Sequence, residues 1–485
     1  MSRPSLLCGG RGLRRSAGAL GLLVLLCRCG GATFVEQPDA AFSIAVEASL
    51  DESWDTALGA ALSYLSTASE DDPRYDRGLT LAARAFEAQG LRYAAALYYL
   101  DVAQAKRNVE LVDEAIEGLA RLTTSGPVDE DLVLAGYIAA ADVDEMRPEL
   151  ESFVRYHRGL DNLRKGEREW ALDAFRAIDD ESPFRARAEL ALAADVLATG
   201  RLAPARQAIE RLLEDESELP RDVRIDARLA AARIAMDEER WGDAVAGYEA
   251  LQDLAPERPG LLLEMAWAHY YRGAYRRSLG LLLALDAPVY GSLIAPERYL
   301  LEAYNLRRLC QLEPARTAAA RLRARHAEEL EDLRQGVLPI DSLRLRRAAA
   351  RRPDVRELTN LAVHTRREAL KAERLGRRWQ AAGEKLNALY ADATGQVEAQ
   401  LRRRVDDESR KLARELIDAD DGVRLILHEL SVQLLRGRRR PPGPDPRTRV
   451  GRRVAPGEVR YSFQGEFWTD EIDDLEVVIA DRCLQ

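Results

Sequence analysis

This 485-residue chain is poor in the residue types that build catalytic and metal centres. It has five histidines, and none of them stands at metal-ligand spacing from another histidine or from a cysteine. The phosphate-binding GxxxxGK loop, a GxGxxG after a strand and the GxSxG turn of hydrolases are all missing. The sequence therefore predicts no metal and no cofactor, and an enzyme is the least favoured class of function.

Aromatic residues are also scarce, at 6%, whereas 47% of the residues are hydrophobic. Ala, Leu, Arg and Glu dominate and favour helices, and alternating β-branched residues are almost absent before residue 455. A net charge of −10 argues against nucleic acid as the main partner. Because a chain of this length rarely forms one compact core, we predict an elongated all-α protein with a small β-like tail.

Long apolar runs are confined to the N-terminus. Arginines precede the apolar run 19–27, and small residues follow it at positions 30–32. This order predicts a signal peptide over residues 1–32, cleaved after Ala32, and an exported protein with no transmembrane span thereafter. A lipid anchor at Cys27 or Cys29 and an uncleaved anchor are the alternatives.

A small residue recurs in the middle of bulky helical stretches. In RWGDAVAGYEALQDLAPERPG, residues 240–260, Trp241, Ala244, Tyr248 and Leu251 fall at helical spacing. Equivalent small residues recur 34 to 39 positions apart, and each has a small residue twelve positions before it. The five pairs are Gly159 and Ala171, Ala193 and Ala205, Ala232 and Ala244, Ala266 and Ser278, and Ala303 and Ala315.

These pairs predict helical hairpins, because two helices approach closely only where their side chains are small. Phe175 and Tyr248 stand four positions after their anchors, where a bulky side chain fills the adjacent groove. Glycines fall in the predicted turns, as at Gly166 and Gly273. Such hairpins cannot bury their apolar faces alone, so they are expected to stack into a solenoid.

The spacing and the small-residue pairs resemble the tetratricopeptide repeat (TPR) family over residues 151–325. The resemblance implies a right-handed α-solenoid of helix hairpins, in which Trp and Tyr of the second helices are mostly core. Residues 33–150 are interpreted as degenerate helical repeats, with units around WDTALGAALSYL and GLRYAAALYYLDVA.

The same resemblance implies that positions on the first helix of each unit line a concave groove. Aromatic and Arg side chains there suit a protein partner with an acidic or amphipathic segment. The alternative is that these residues pack against the next unit or line a solvated groove. The candidate partner-binding residues are Arg233, Trp267, Tyr270, Tyr271, Tyr304, Arg307 and Arg308.

The repeat pattern fades beyond residue 325. Residues 326–435 are predicted to form long charged helices with a narrow apolar seam, as in a coiled coil or a helical hairpin. The sequence leaves open whether they fold back on the solenoid or self-associate through residues 354–417. Residues 436–458, rich in Pro, Gly and Arg, are predicted to be a linker.

The last segment, 459–485, alternates apolar and polar residues and predicts a short β-rich cap. It is similar to the C-terminal ends of TPR-rich envelope proteins. After signal cleavage only Cys310 and Cys483 remain, and in an oxidising compartment they can form a disulfide. The alternative is a buried, unpaired Cys310.

These observations favour an exported, non-enzymatic scaffold that binds protein partners in a bacterial envelope assembly. It is expected in the periplasm or at the outer membrane of a Gram-negative bacterium. The runner-up is a self-associating structural or lipoprotein-like component.

Overall fold

A computed structural model describes residues 37–105, 107–127, 146–255, 260–287, 290, 295–437 and 476–483. The predicted signal peptide, most of the predicted linker and residues 459–475 lie outside these ranges. In the described part, regular structure is helical and no strand occurs. None of the described helices is long and apolar enough to cross a membrane.

The described residues form nineteen α-helices. In chain order they are α1 Pro38–Leu50, α2 Trp54–Thr67, α3 Tyr75–Ala88, α4 Arg92–Ala105, α5 Val109–Ser125, α6 Pro148–Lys165, α7 Arg168–Arg176, α8 Arg185–Ala198, α9 Leu202–Leu212, α10 Arg221–Asp237, α11 Trp241–Leu254, α12 Gly260–Tyr271, α13 Tyr275–Ala284, α14 Glu297–Arg308, α15 Leu312–Arg325, α16 Ala327–Arg334, α17 Leu343–Ala349, α18 Pro353–Gly376 and α19 Gln380–Gly437.

Helices α1–α4 and α6–α15 form seven hairpins. Each packs on the next one, except that α5 lies between the second and the third hairpin and contacts both. In most hairpins one turn residue has a left-handed backbone conformation. The first helix usually ends two residues before it, and the second helix starts two residues after it. Gly90, Gly200 and Gly273 occupy this position with φ of 65°, 76° and 85°. Glycine suits this position because it adopts positive φ without a steric penalty.

All ten residues of the five small pairs are buried. A Cβ atom built on Gly159 would lie inside the ring of Phe175, so this crossing admits no side chain. Ser278 Oγ donates to Ala266 O over 2.8 Å, which joins the two members of that pair directly. The solenoid is therefore built on the small-residue contacts that define its sequence repeat.

Aromatic residues of the second helices do not all belong to the core. Phe175 and Tyr248 are 2% and 1% exposed, whereas Trp170 is 69% exposed. The expectation of a core role is wrong for Trp170. It precedes the anchor Ala171 by one residue, and one helical step rotates a side chain by about 100° away from the buried face.

The charged region folds back onto the solenoid. Helices α18 and α19 form an antiparallel hairpin, and α19 has 58 residues, about 87 Å of helix. Near their connection α18 and α19 pack on α2 and α4, and the C-terminal part of α19 packs on α14 and α15. The hairpin thus joins the first units of the array to the last one.

A polar network holds the α18–α19 hairpin against α3 and α4, near the connection between α18 and α19. Glu368 accepts hydrogen bonds from Tyr93 N–H, at the start of α4, and from the Tyr390 hydroxyl, over 3.0 and 2.7 Å. Burial raises the pKa of the Glu368 carboxyl. Lys371 Nζ donates to Gln89 O at the end of α3. Two residues of α18 therefore satisfy backbone groups at the ends of α3 and α4.

The prediction of a β-rich cap is wrong for residues 476–483, the part of that segment that the structure describes. Residues 476–483, here called the strap, are extended but form no strand. The strap runs along the ends of helical hairpins, where no strand is available to pair with it. Val477 and Ile479 pack on the core cluster of α14, α15 and α19, while Val478 is 68% exposed. The alternation in the sequence thus reflects packing against helices.

Candidate partner-binding face

Six aromatic residues converge at one end of the hairpins α10–α11, α12–α13 and α14–α15. We call them the aromatic patch: Trp241, Trp267, Tyr270, Tyr271, Tyr275 and Tyr304. The last turn and a half of α12 carries three of them, Trp267, Tyr270 and Tyr271. Their i, i+3 and i+4 spacing places the three side chains next to one another at the end of this helix.

The centre of the aromatic patch is a stack of three rings. Tyr271 lies against Trp241 with ring centroids 4.6 Å apart and an interplanar angle of 18°. On its other side lies Trp267, at 5.7 Å and 25°. Despite these two contacts Tyr271 is still 49% exposed. An exposed ring held in place by two indoles presents a large apolar surface with little rotamer freedom to lose on binding.

The patch continues onto the next unit. Tyr270 contacts Tyr304 of α14 with centroids 6.2 Å apart, and Tyr275 at the start of α13 with centroids 5.7 Å apart. Burial raises the pKa of the Tyr304 hydroxyl. The aromatic patch therefore spans three repeat units and depends on how those units are oriented.

Arg308 gives the patch a positive rim. Its guanidinium lies 5.9 Å from the centroid of the Tyr270 ring, and Arg308 Nε donates to the Tyr270 hydroxyl over 3.4 Å. This hydrogen bond raises the pKa of Arg308. The neighbouring Arg272 and Arg276 are exposed as well. Exposed guanidinium groups beside aromatic rings suit carboxylates of a ligand.

Two of the seven predicted residues are engaged elsewhere. Arg233 makes two hydrogen bonds to the Glu264 carboxylate, of 2.9 and 2.7 Å, and these bonds raise the pKa of Arg233. Arg307 pairs with Glu429 of α19 over 2.6 Å. Both arginines thus link packed helices. For these two of the seven candidates, the structure has the alternative of packing against a neighbouring element of the chain.

Trp241 and Tyr275 were not among the predicted partner-binding residues. Each is the first residue of a second helix, two positions after the left-handed residue of the turn. The sequence prediction considered only the first helix of each unit. It therefore missed the first residue of the second helix, although this residue lies beside the end of the first helix. An aromatic residue just after the turn is the signal that would have identified them.

The strap runs beside the aromatic patch. Val477 N–H donates to Arg276 O over 3.2 Å, directly after Tyr275 in the chain, and Arg482 N–H donates to Leu309 O over 3.0 Å. A disulfide joins Cys310, in the turn between α14 and α15, to Cys483. Of the two alternatives for these cysteines, the structure has the paired form.

The polar groups of the face are arginine side chains, tyrosine hydroxyls and the Glu297 carboxylate, which accepts a hydrogen bond from the Trp267 indole. In the described ranges, no three His, Cys, Asp or Glu side chains come together in a way that would hold a metal ion.

No family profile matches the sequence of the chain, and no curated protein is similar to it. Solved structures similar to it include a tetratricopeptide repeat protein from Parabacteroides merdae, the apo form of RapI and yeast Tom70. Their sequence identities are 12%, 9% and 13%, and their TM-scores 0.27, 0.33 and 0.29. The matches cover 62%, 75% and 82% of this chain and 97%, 98% and 90% of the other chains. The fold assignment rests on the hairpins and small-residue contacts of the chain itself.

Proposed function

Since the chain is a solenoid of the tetratricopeptide repeat type, we propose that it is a non-enzymatic scaffold that binds a protein partner through the aromatic patch. The observation that carries this proposal is the half-exposed Tyr271, stacked between Trp241 and Trp267. Trp, Tyr and Arg are the residues that most often dominate the binding free energy of interfaces.

The partner segment we propose is acidic as well as apolar. Arg308, Arg272 and Arg276 are exposed along the patch, and the first of them is held against Tyr270. A carboxylate that reaches Arg308 would gain a charge-assisted hydrogen bond while the adjacent apolar side chain covers the rings. An acidic, amphipathic segment satisfies both requirements.

We further propose that the protein works outside the cytoplasm, in a Gram-negative envelope. The signal-like residues 1–32 support export, and so does the Cys310–Cys483 disulfide, because such bonds persist in oxidising compartments. Mass spectrometry of the mature N-terminus should show a start at Thr33. A lipid-modified Cys27 or Cys29 would identify an anchored form instead.

Self-association through residues 354–417 is the alternative function. Much of that seam, such as Leu386, Leu412 and Leu416, is buried within the same chain and is not available to a second copy. Three large apolar side chains of the region remain exposed: Val363, Leu370 and Ile417. The burial of much of the seam favours the scaffold proposal over the self-associating component.

The test uses photo-crosslinking in intact cells from a reactive residue at position 272, beside the patch. Tyr271→Ala together with Arg308→Ala should reduce the crosslinked partner at least tenfold, since the exposed ring and the rim charge are removed together. The matched control is Trp170→Ala, which removes an exposed Trp from another unit. Equal crosslinking in the double variant and the control would refute the aromatic patch as the binding surface.

A further inference from the structure

The strap connects two of the three repeat units that carry the aromatic patch. On one side Arg276, at the start of α13, accepts from Val477 N–H and donates its Nε to Ile479 O over 2.9 Å. On the other side Gln311, at the start of α15, donates its amide to Ala480 O over 2.7 Å. The strap therefore spans the ends of the α12–α13 and α14–α15 hairpins.

Cys310 occupies the left-handed turn position that glycine fills in four of the other hairpins and that glutamate fills in two, at Glu52 and Glu239. It stands two residues after the end of α14 with φ of 52°, where Gly90, Gly200 and Gly273 stand in their hairpins. A cysteine pays a conformational penalty in this left-handed region that glycine does not pay. The disulfide to Cys483 gives a physical reason for a cysteine there.

The non-covalent contacts that the structure describes for the strap are few. They include two backbone and two side-chain hydrogen bonds to the solenoid and the half-buried residues Val477, Ile479, Asp481 and Arg482. Ordering eight residues in a single conformation carries an entropic penalty of the same order as these contacts. The position of the strap thus depends on the covalent link at Cys483.

The geometry points to the Cys310–Cys483 disulfide as a redox-controlled latch on the aromatic patch. A dithiol reductant would supply two electrons: its thiolate attacks the exposed Cys483 sulfur, Cys310 leaves as a thiolate and takes up a proton, and the second thiol of the reductant displaces Cys483. The products are two protein thiols and an oxidised reductant. The strap is then released, and the two hairpins lose the link that it makes between their ends, while their direct packing remains.

Release of the strap loosens the patch because Tyr270 and Tyr275 belong to one hairpin and Tyr304 and Arg308 to the next. A looser patch has to be ordered when a partner binds, so affinity should fall about tenfold. This consequence for binding rests on the proposed function, whereas release of the strap does not.

Hydrogen exchange on the full-length oxidised protein tests the latch without any partner. Adding dithiothreitol should accelerate exchange of the Val477 and Arg482 amides at least tenfold, while α6–α9 keep their protection. Cys483→Ser should show the same exposure without reductant. Val478→Ser is the matched control, because this exposed strap residue leaves the disulfide and its contacts intact, and it should retain protection.

Two results would overturn the latch. If the strap amides stay protected in both the reduced protein and Cys483→Ser, the contacts alone hold it. If helices α12–α15 lose protection together with the strap, the disulfide staples the whole C-terminal end and controls no separate element. Neither result bears on crosslinking at the patch, so the latch and the proposed function fail independently.

Discussion

The rings buried between helices and the rings of the aromatic patch occupy opposite environments in the same solenoid. Phe175 is 2% exposed and lies against Gly159, where any side chain would collide with it. Tyr271, at the end of a first helix, stacks on two indoles and remains 49% exposed. Burial under a small residue thus marks a ring that holds the two helices of one hairpin together, and exposure at a hairpin end marks a ring with surface left uncovered.

Three of the five histidine rings belong to the buried set. His157, His269 and His326 are 5%, 4% and 6% exposed, and His157 packs edge-on against Phe153 with centroids 4.6 Å apart. Burial lowers the pKa of each of the three to about 4, and nearby arginines lower it further. The interior of the solenoid therefore holds three neutral imidazoles.

The largest effect we expect is acid destabilisation. The unfolded chain binds protons on these histidines below pH 6.5, while the folded chain does so only near pH 4, so stability falls as the pH drops through this window. At pH 5 each histidine should contribute a loss of about 1–2 kcal/mol. Burial also raises the pKa of Asp101, to about 6, and the pKa values of Glu297, Glu302 and Glu368, so these four carboxyls oppose the trend.

Urea unfolding at pH 7 and pH 5 measures this change. His157→Leu should weaken the pH dependence, whereas His364→Gln, at an exposed position of α18, should leave it unchanged. A pH dependence that is the same in His157→Leu and in the parent protein would show that this ring is not buried in the neutral form.

The second effect concerns the closest helix crossing. Gly159→Leu places a side chain where the Phe175 ring lies, so α6 and α7 must separate. We expect a loss of about 3 kcal/mol or more in the free energy of unfolding, as for severe overpacking. Adding Phe175→Ala should recover part of the loss, because the ring that collides is removed.

Gly242→Ala is the control for this crossing. No atom lies within 4 Å of a Cβ built at this position of α11. Alanine should stabilise the helix there by about 0.5–1 kcal/mol because it loses less backbone entropy. Equal effects of the two glycine substitutions would mean that the Gly159 crossing is looser than the structure has it.

Hairpins could be predicted from the sequence because their determinants lie within about forty residues of each other. The anchors Ala171 and Ala244, the left-handed turn glycines and the bulky residues four positions on form a short-range pattern that one chain displays repeatedly. The aromatic residues at the end of α12 could be identified for the same reason. Their spacing within one helix fixes where they lie.

Contacts between distant segments could not be predicted. Arg307 pairs with Glu429, and Glu368 binds the first turn of α4, but nothing in the local pattern indicates which distant residue each one meets. The same holds for the strap: alternation at residues 477–479 fits a strand in a sheet and an extended segment on helices equally well. Only the packed chain distinguishes these outcomes.

The smallest effect we expect on the free energy of unfolding comes from removing one hydroxyl group, either from a buried tyrosine or from a tyrosine of the aromatic patch. Tyr248 OH donates to Glu264 over 3.0 Å inside the core, so Tyr248→Phe should lower the free energy of unfolding by about 1 kcal/mol. Tyr271→Phe removes a half-exposed hydroxyl and should change it by less than about 0.5 kcal/mol. Chemical denaturation of both variants beside the parent protein gives the two values. If Tyr271→Phe were the more destabilising of the pair, the aromatic patch would be a structural element of the solenoid, and its exposure would say nothing about a partner.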